Sequence, residues 1–258
     1  MAISRDNQCG IEDVIVGKVG IGAQYTQHPM NFLLPTSCIG CKKFQANSIC
    51  DKCLNILKCN QVHRCQQCAI PCLNKQNICL SCQCNPPAFD STLCLDSYGG
   101  LLTESLHDYK YHGKIALARC FANTWQAVFN HEPSLQTNIE WMIPVPLSIK
   151  KLHHRGFNQA WELCKIMSMR LNIDSDPFVL GRNHMDGDQA HASREQRLTR
   201  LINTFRVNPK RLDRIANQNI LIIDDVMTTG ATLDVMAKVL KDFGAQSVHN
   251  WVILRTPL

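Results

Sequence analysis

The stretch NILIIDDVMTTGATLDVM, Asn219 to Met236, decides the fold. Four apolar residues run straight into two aspartates. A short threonine segment with one glycine follows, and then apolar spacing resumes. An unbroken aliphatic run reads as a strand covered on both faces, as in parallel sheets. Positions 231–243 read as a helix. A loop that leads from the carboxyl end of such a strand into a helix presents free backbone N–H groups and the positive end of the helix dipole. Thr228, Thr229 and Thr232 add hydroxyl donors, while Gly230, followed by Ala231, lets the backbone approach closely. That describes a phosphate cradle.

Asp224 and Asp225 cannot contact the same phosphate without repulsion, so they call for hydroxyl donors or a divalent cation. A sugar phosphate meets both demands, with its phosphate on the loop and a vicinal diol on the carboxylates. Ribose 5-phosphate has that shape. The loop lacks the Gly-Lys-Ser/Thr ending of a mononucleotide P-loop and is not G-x-G-x-x-G. The rival reading, an Asp-capped turn with no ligand, suits a bare Asp-Asp better than this full string.

Working outward, the chain alternates strand and helix from Trp141. MIPVPL reads as a short strand closed by prolines, and residues 156–171 show helical spacing through Ala160, Leu163, Cys164, Met167 and Leu171. An irregular polar segment over 181–200 precedes a TFRV strand, and SVHNWVILRT reads as the last strand. Upstream, a strand-like stretch at Leu93 to Leu95 leads to helical spacing that breaks at Gly113. Strands separated by helices imply an α/β fold built on a parallel, doubly wound sheet.

The cysteines define a second region. Twelve of the fifteen lie between Cys38 and Cys94. They form two sets, Cys38-x2-Cys41 with Cys50-x2-Cys53, and Cys65-x2-Cys68 with Cys79-x2-Cys82. Two Cys-x-x-Cys pairs complete a tetrahedral four-thiolate shell around zinc. The first twenty-odd residues carry Arg5, Asp6, Glu12 and Asp13 with no apolar signal segment, and no run is long enough to span a membrane. The chain therefore reads as cytoplasmic, and metal ligation is favoured over disulfides. The competing readings are a redox dithiol and a cross-braced pairing; Cys59, Cys72, Cys84 and Cys94 are unpaired by spacing and offer alternative ligands. Two structural zinc sites are expected, and a region this small would hardly fold without metal.

Lys and Arg number 27 against 21 Asp and Glu, a mild excess. It is concentrated: Leu147 to Asn219 holds thirteen basic against seven acidic residues. A basic surface facing the aspartate loop suits a phosphate-rich ligand or nucleic acid, although some of these charges are ordinary solvated helix faces.

IIDDVMTTGAT resembles the phosphoribosyl pyrophosphate (PRPP) loop of type I phosphoribosyltransferases. IPVPLSIKKLHHRGFNQAWEL, DYKYHGK (108–114), REQRLTRLINTFRV (194–207) and the tandem cysteine sets resemble, in order, the ComF/GntX family, associated with natural competence and the use of external DNA. The resemblance spans roughly residues 30–258. It implies a type I phosphoribosyltransferase-like sheet with helices on both faces over 88–258, preceded by a double zinc ribbon over 30–87. Residues 1–29 are expected to be a disordered leader or an over-long start.

The resemblance further implies that Asp224 and Asp225 take the ribose hydroxyls, that residues 228–232 take the 5-phosphate, and that PRPP arrives with Mg²⁺. Arg155 and Gly156 would form the pyrophosphate loop. Arg200, with Gln196, Arg197 and Asn203, would belong to a lid. Single-stranded DNA and proteins of the competence machinery are the implied partners. The other expectation is a metabolic phosphoribosyltransferase acting on a base or amine; no general base or acceptor pocket stands out. The four tryptophans read as core, and Tyr109 and Tyr111 as possible platforms for bases.

Overall fold

Ile220, Leu221, Ile222 and Ile223 are all fully buried, because both faces of their strand are covered. The computed structural model describes residues 36–61, 63–72, 77–129, 138–182 and 204–257. The expected leader 1–29 and the expected lid residues Gln196, Arg197, Arg200 and Asn203 lie outside the described residues.

Short strands β1 (Thr36–Ser37) and β2 (Phe44–Gln45) pair antiparallel ahead of helices α1 (Asp51–Cys59) and α2 (Leu80–Cys84). There follow β3 (Ser91–Ser97), α3 (Thr103–Tyr111), α4 (Leu117–Phe129), β4 (Trp141–Pro144), α5 (Ile149–Arg155), α6 (Gln159–Leu171) and β5 (Asp174–Ser175). An antiparallel pair, β6 (Leu180–Arg182) and β7 (Phe205–Val207), comes next, then β8 (Asn219–Met227), α7 (Ala231–Asp242) and β9 (Ser247–Arg255). The main sheet has the order β3-β9-β8-β4-β5, and every pair in it is parallel.

Alternate side chains of each strand feed opposite faces. Leu95, Leu221, Ile223 and Ile253 join one core with α3, α4 and α6, where Trp125 and Trp251 stack at 5.2 Å. Cys94, Ile220, Ile222 and Val252 join the other, with α7 and the β6–β7 pair. Helix α7 buries Leu233, Met236, Ala237 and Leu240, an i, i+3, i+4, i+7 stripe. Helices thus cover both faces, as the α/β reading requires.

The cysteine region straddles the β3 edge of this sheet. Cys38, Cys53 and Leu57 pack into the first core, and Cys65, Cys68 and Cys82 into the second. Between them the chain crosses the edge strand: Gln61 Nε2 donates to the Leu95 carbonyl at 3.0 Å, and the Thr92 N–H donates to the Gln66 carbonyl at 3.0 Å. An edge covered in this way cannot pair with foreign strands.

Several boundaries depart from the sequence reading: β4 stops at Pro144, α6 starts only at Gln159, and Gly181 and Arg182 belong to β6. β3 runs from Ser91 to Ser97, longer than expected, because β9 partners it throughout. β8 continues past Ile223 to Met227, paired with Arg255, so both aspartates are strand residues and do not follow the strand. Helix α5 was not foreseen; none of its residues is buried, so it has no apolar stripe to read.

Candidate functional site

The two cysteine sets are built alike. In the first, Cys38 N–H donates to the Lys43 carbonyl and Lys42 N–H returns to the Cys38 carbonyl; Cys65, Ile70 and Ala69 repeat the pattern. Lys42 and Ala69, each directly after the second cysteine, adopt left-handed φ of 62° and 55°. The second pair of each set sits on a helix start, with Cys50 and Cys79 as the N-cap residues of α1 and α2. There the Cys50 and Cys79 N–H groups donate to Cys38 and Cys65 sulfurs at 3.4 and 3.3 Å.

Within each set the four sulfurs lie within 4.8 Å of one another. Cys41 and Cys50 are 3.8 Å apart, and Cys68 and Cys79 3.6 Å. Four ligands at about 2.3 Å on a tetrahedron are about 3.8 Å apart, so the geometry fits a structural zinc ion. The electrostatics fit as well. Burial opposes ionisation of Cys38, but N–H donors from Cys50, Cys41 and Gly40 outweigh it and bring its thiol down to about 7. Burial, then hydrogen bonds and charge from the neighbouring thiols, push Cys53 and Cys82 well up. Four thiolates cannot coexist at this spacing without a cation to bind them. Cys59 and Cys84 are exposed and Cys94 is buried elsewhere, against the Ala69 carbonyl; none of the three joins either cluster. Among the described residues the sets are therefore consecutive, not cross-braced.

The second assembly forms where β8 meets α7. Gly230, with φ of 86°, is the left-handed N-cap of α7, and a Cβ there would lie 2.6 Å from Met227 Cε. Thr228 and Thr229 are exposed, Gly230 is buried, and Ala231 and Thr232 are half-buried. The Thr229 hydroxyl accepts from the Ala231 N–H at 3.3 Å, which shapes the loop.

The two aspartates differ in their surroundings. Lys110 Nζ on α3 lies 2.9 Å from Asp225, and Arg155 at the end of α5 lies 4.0 Å from its other oxygen. Asp224 accepts the Asp225 N–H at 2.8 Å. Desolvation, and then the charge of Asp225, push the Asp224 carboxyl up to about 8, against the pull of that N–H, Lys110 and Lys151. Arg155 also donates to Gln159 Oε1 at 3.0 Å and stands 5.3 Å over the Tyr111 ring. Gln159 is almost fully buried, and its amide nitrogen has no partner among the described residues. Gly156 ends α5 in the left-handed region at φ 76°.

Arg155, Gly156, Asp224, Asp225 and residues 228–232 therefore gather around one site. Tyr109 does not serve as a platform: it is fully buried and its hydroxyl donates to the Gln159 carbonyl. Its neighbour Tyr111 is 54% exposed and stays available. Sequence reasoning passed over two cations. Lys110 stands between Tyr109 and Tyr111 in the DYKYHGK block, which is where the signal lay. Arg182, on β6, is close enough for Asp224 to act on its charge. A third group of possible ligands, His107, Asp108 and His112, is committed otherwise, since Lys114 at 2.7 Å and His112 at 2.8 Å share the Asp108 carboxylate.

Residues 163–257 match the phosphoribosyl transferase domain family. The DNA utilization protein YhgH of Salmonella typhimurium is 28% identical over 210 residues, covering 81% of this chain and 90% of that protein. Competence protein F of Haemophilus influenzae is 25% identical over 84% of this chain and 96% of its own. Competence protein ComFC of Bacillus subtilis is 25% identical over 81% and 84%. Among solved structures, a purine phosphoribosyltransferase from Pyrococcus horikoshii aligns over 62% of this chain and 87% of its own, at 15% identity and a TM-score of 0.30, too loosely to argue from. No helix among the described residues is long and apolar enough to cross a membrane.

Proposed function

Because the chain belongs to the ComF family, we propose that it acts in the uptake or use of external DNA and that its strand–loop–helix site binds PRPP. The observation that carries this reading is the meeting of Lys110, Arg155 and Asp225, from three distant stretches, beside an open threonine loop.

Asp224 and Asp225 hold the ribose hydroxyls, and Thr228, Thr229, Gly230, Ala231 and Thr232 hold the 5-phosphate through N–H groups and hydroxyls. Arg155, with the Gly156 turn, takes the pyrophosphate. Arg200 is assigned the same role. Mg²⁺ accompanies the ligand and offsets its pyrophosphate charge. Hydroxyl donors or a cation brought to Asp224 favour its ionised form and so oppose the desolvation that pushes its carboxyl up.

Each cysteine cluster holds a structural zinc ion with a closed shell and no catalytic role. The exposed Lys150, Lys151, His153 and His154 on α5 border the site and suit the backbone of a single strand. The names of the relatives support DNA and competence proteins as partners, and a cytoplasmic location belongs to the same reading.

The test is binding of labelled single-stranded DNA, with and without PRPP–Mg²⁺, by the wild type and by the double variant Asp224→Ala/Asp225→Ala. Expected is DNA binding by the wild type that responds to PRPP, and loss of that response in the variant. A metabolic transferase predicts only a weak, salt-sensitive background. Failure of the wild type to bind PRPP removes the site from both readings.

A further inference from the structure

Arg255, the last residue of β9, is only 1% exposed. A buried cation is costly unless it is paired and hydrogen-bonded, yet the described partners of Arg255 are all backbone carbonyls. Its Nε donates to the Cys68 carbonyl at 2.7 Å. One terminal nitrogen donates to the carbonyls of Met227 at 3.2 Å, Thr256 at 2.7 Å and Thr228. One guanidinium therefore joins a cysteine of the second cluster to the two residues that open the threonine loop.

The charge of Arg255 has a natural complement. A divalent ion held by four thiolates carries a net charge of minus two, and the cluster lies just beyond the Cys68 carbonyl. A second tether runs parallel to the first. The Ala88 N–H, in the segment that leaves this cluster, donates to Asp234 Oδ1 in the first turn of α7 at 2.6 Å. Among the described residues the first cluster has no such link: it reaches α3 instead, where Ser105 donates to the Ile39 carbonyl at 2.6 Å.

We propose that Arg255 is a positioning residue that couples occupancy of the second cysteine cluster to the conformation of the phosphate-holding loop. Metal in the cluster fixes the Cys68 carbonyl, that carbonyl fixes the guanidinium, and the guanidinium fixes Met227 and Thr228. Coupling of this kind is reciprocal in affinity, so a ligand on the loop must tighten metal binding by the second cluster and leave the first unchanged. The inference rests on the loop being the anion site, and its test is chosen to fail separately from that reading.

The full chain is loaded with cobalt(II), whose thiolate charge-transfer absorption counts occupied clusters, and challenged with a chelator. Removing a partner that orients a metal ligand typically costs about 10–100-fold in metal affinity. In Arg255→Met, half of the absorption is therefore expected to decay about tenfold or more faster than in the wild type, with the other half unchanged. Amide hydrogen exchange over 227–232 should accelerate in parallel. Arg255→Lys, which keeps the charge and loses the planar fork, should fall between the two. Should Arg255→Met not fold, Arg255→Lys and the wild type with PRPP–Mg²⁺, which should slow only one half of the decay, carry the comparison.

Equal acceleration of both halves, or of neither, would overturn the coupling and leave Arg255 a packing residue. If the wild type binds no PRPP but the variant shows one-sided metal loss and a loosened loop, the coupling stands and the ligand assignment falls. If PRPP binds and metal loss is symmetric, the ligand assignment stands and the coupling falls.

Discussion

Lys110 Nζ lies 2.9 Å from Asp225 Oδ1, a contact made across more than a hundred residues of chain. It separates two carboxyl groups that are adjacent in sequence. Asp225 has a cation in contact, whereas at Asp224 desolvation and the charge of its neighbour outweigh the more distant pull of Lys110 and Lys151. Pairs of acids whose surroundings diverge in this way are characteristic of ligand sites.

Removing Lys110 should therefore be felt at Asp224. In Lys110→Met the cation that pulls the Asp224 carboxyl down is gone, and its titration should move above about 8. Carboxyl-carbon NMR across a pH series measures this directly. An unmoved titration would show that Lys110 acts on Asp225 alone.

Stability should carry the same signature. A carboxyl whose folded pKa is raised contributes stability that is fully present below its unfolded pKa, about 4, and is lost as pH rises through the folded value. Between pH 4 and 8 the wild type should lose this contribution, and Asp224→Asn should not. The melting temperature of the variant relative to the wild type should climb across that window and level off above it. A difference constant with pH would contradict a neutral Asp224.

Proton release offers a further check. A ligand that places hydroxyls or a cation on Asp224 draws it into the ionised form, so PRPP–Mg²⁺ binding near pH 7 should release a proton. Calorimetry in buffers of different ionisation enthalpy counts it, and Asp224→Asn should abolish it.

Gly230 holds φ of 86°, and the methyl it would gain meets only the flexible end of Met227. Backbone strain should dominate Gly230→Ala, at about 1–2 kcal/mol. For a chain of this size that corresponds to a melting shift of roughly 2–8 °C. If the loop is the proposed phosphate site, PRPP binding should weaken as well, because a shift of the left-handed turn re-aims the N–H groups at the start of α7.

Metal content should follow the consecutive pairing. Elemental analysis of the wild type should find two zinc ions per chain. Cys79→Ser should retain about one, and Cys59→Ser should keep both, since Cys59 lies outside either cluster. Acidification should release the metal as protons compete for the thiolates.

Much of this was legible in the residues because the physics is local. Ile220 to Ile223 announced a strand covered on both faces, and it is. The cysteine spacing announced two four-thiolate sets, and each closes within itself. Gly113, at φ 61°, divides α3 from α4 where the break was read. What escaped was long-range. Arg255 looked like the polar end of WVILRT, since its partners lie 28 and 187 positions away. Tyr109 and Tyr111 look interchangeable in DYKYHGK, yet two positions on a helix turn one inward and the other outward. Helix α5 carries IKKLHHR with nothing buried, so no periodicity marked it.

The covered β3 edge also sets an order of assembly. Among the described strands β3 pairs only with β9, Ser91 and His249 meeting across 158 positions of chain. During synthesis both cysteine sets, complete by Cys82, can take up metal long before that partner exists. The wrap from Gln61 to Gln66 then holds β3 by one edge while its other edge waits. Pairings this distant in sequence are slow to close. With metal bound this early, the segment would keep one edge of the unpaired β3 covered until β9 arrives.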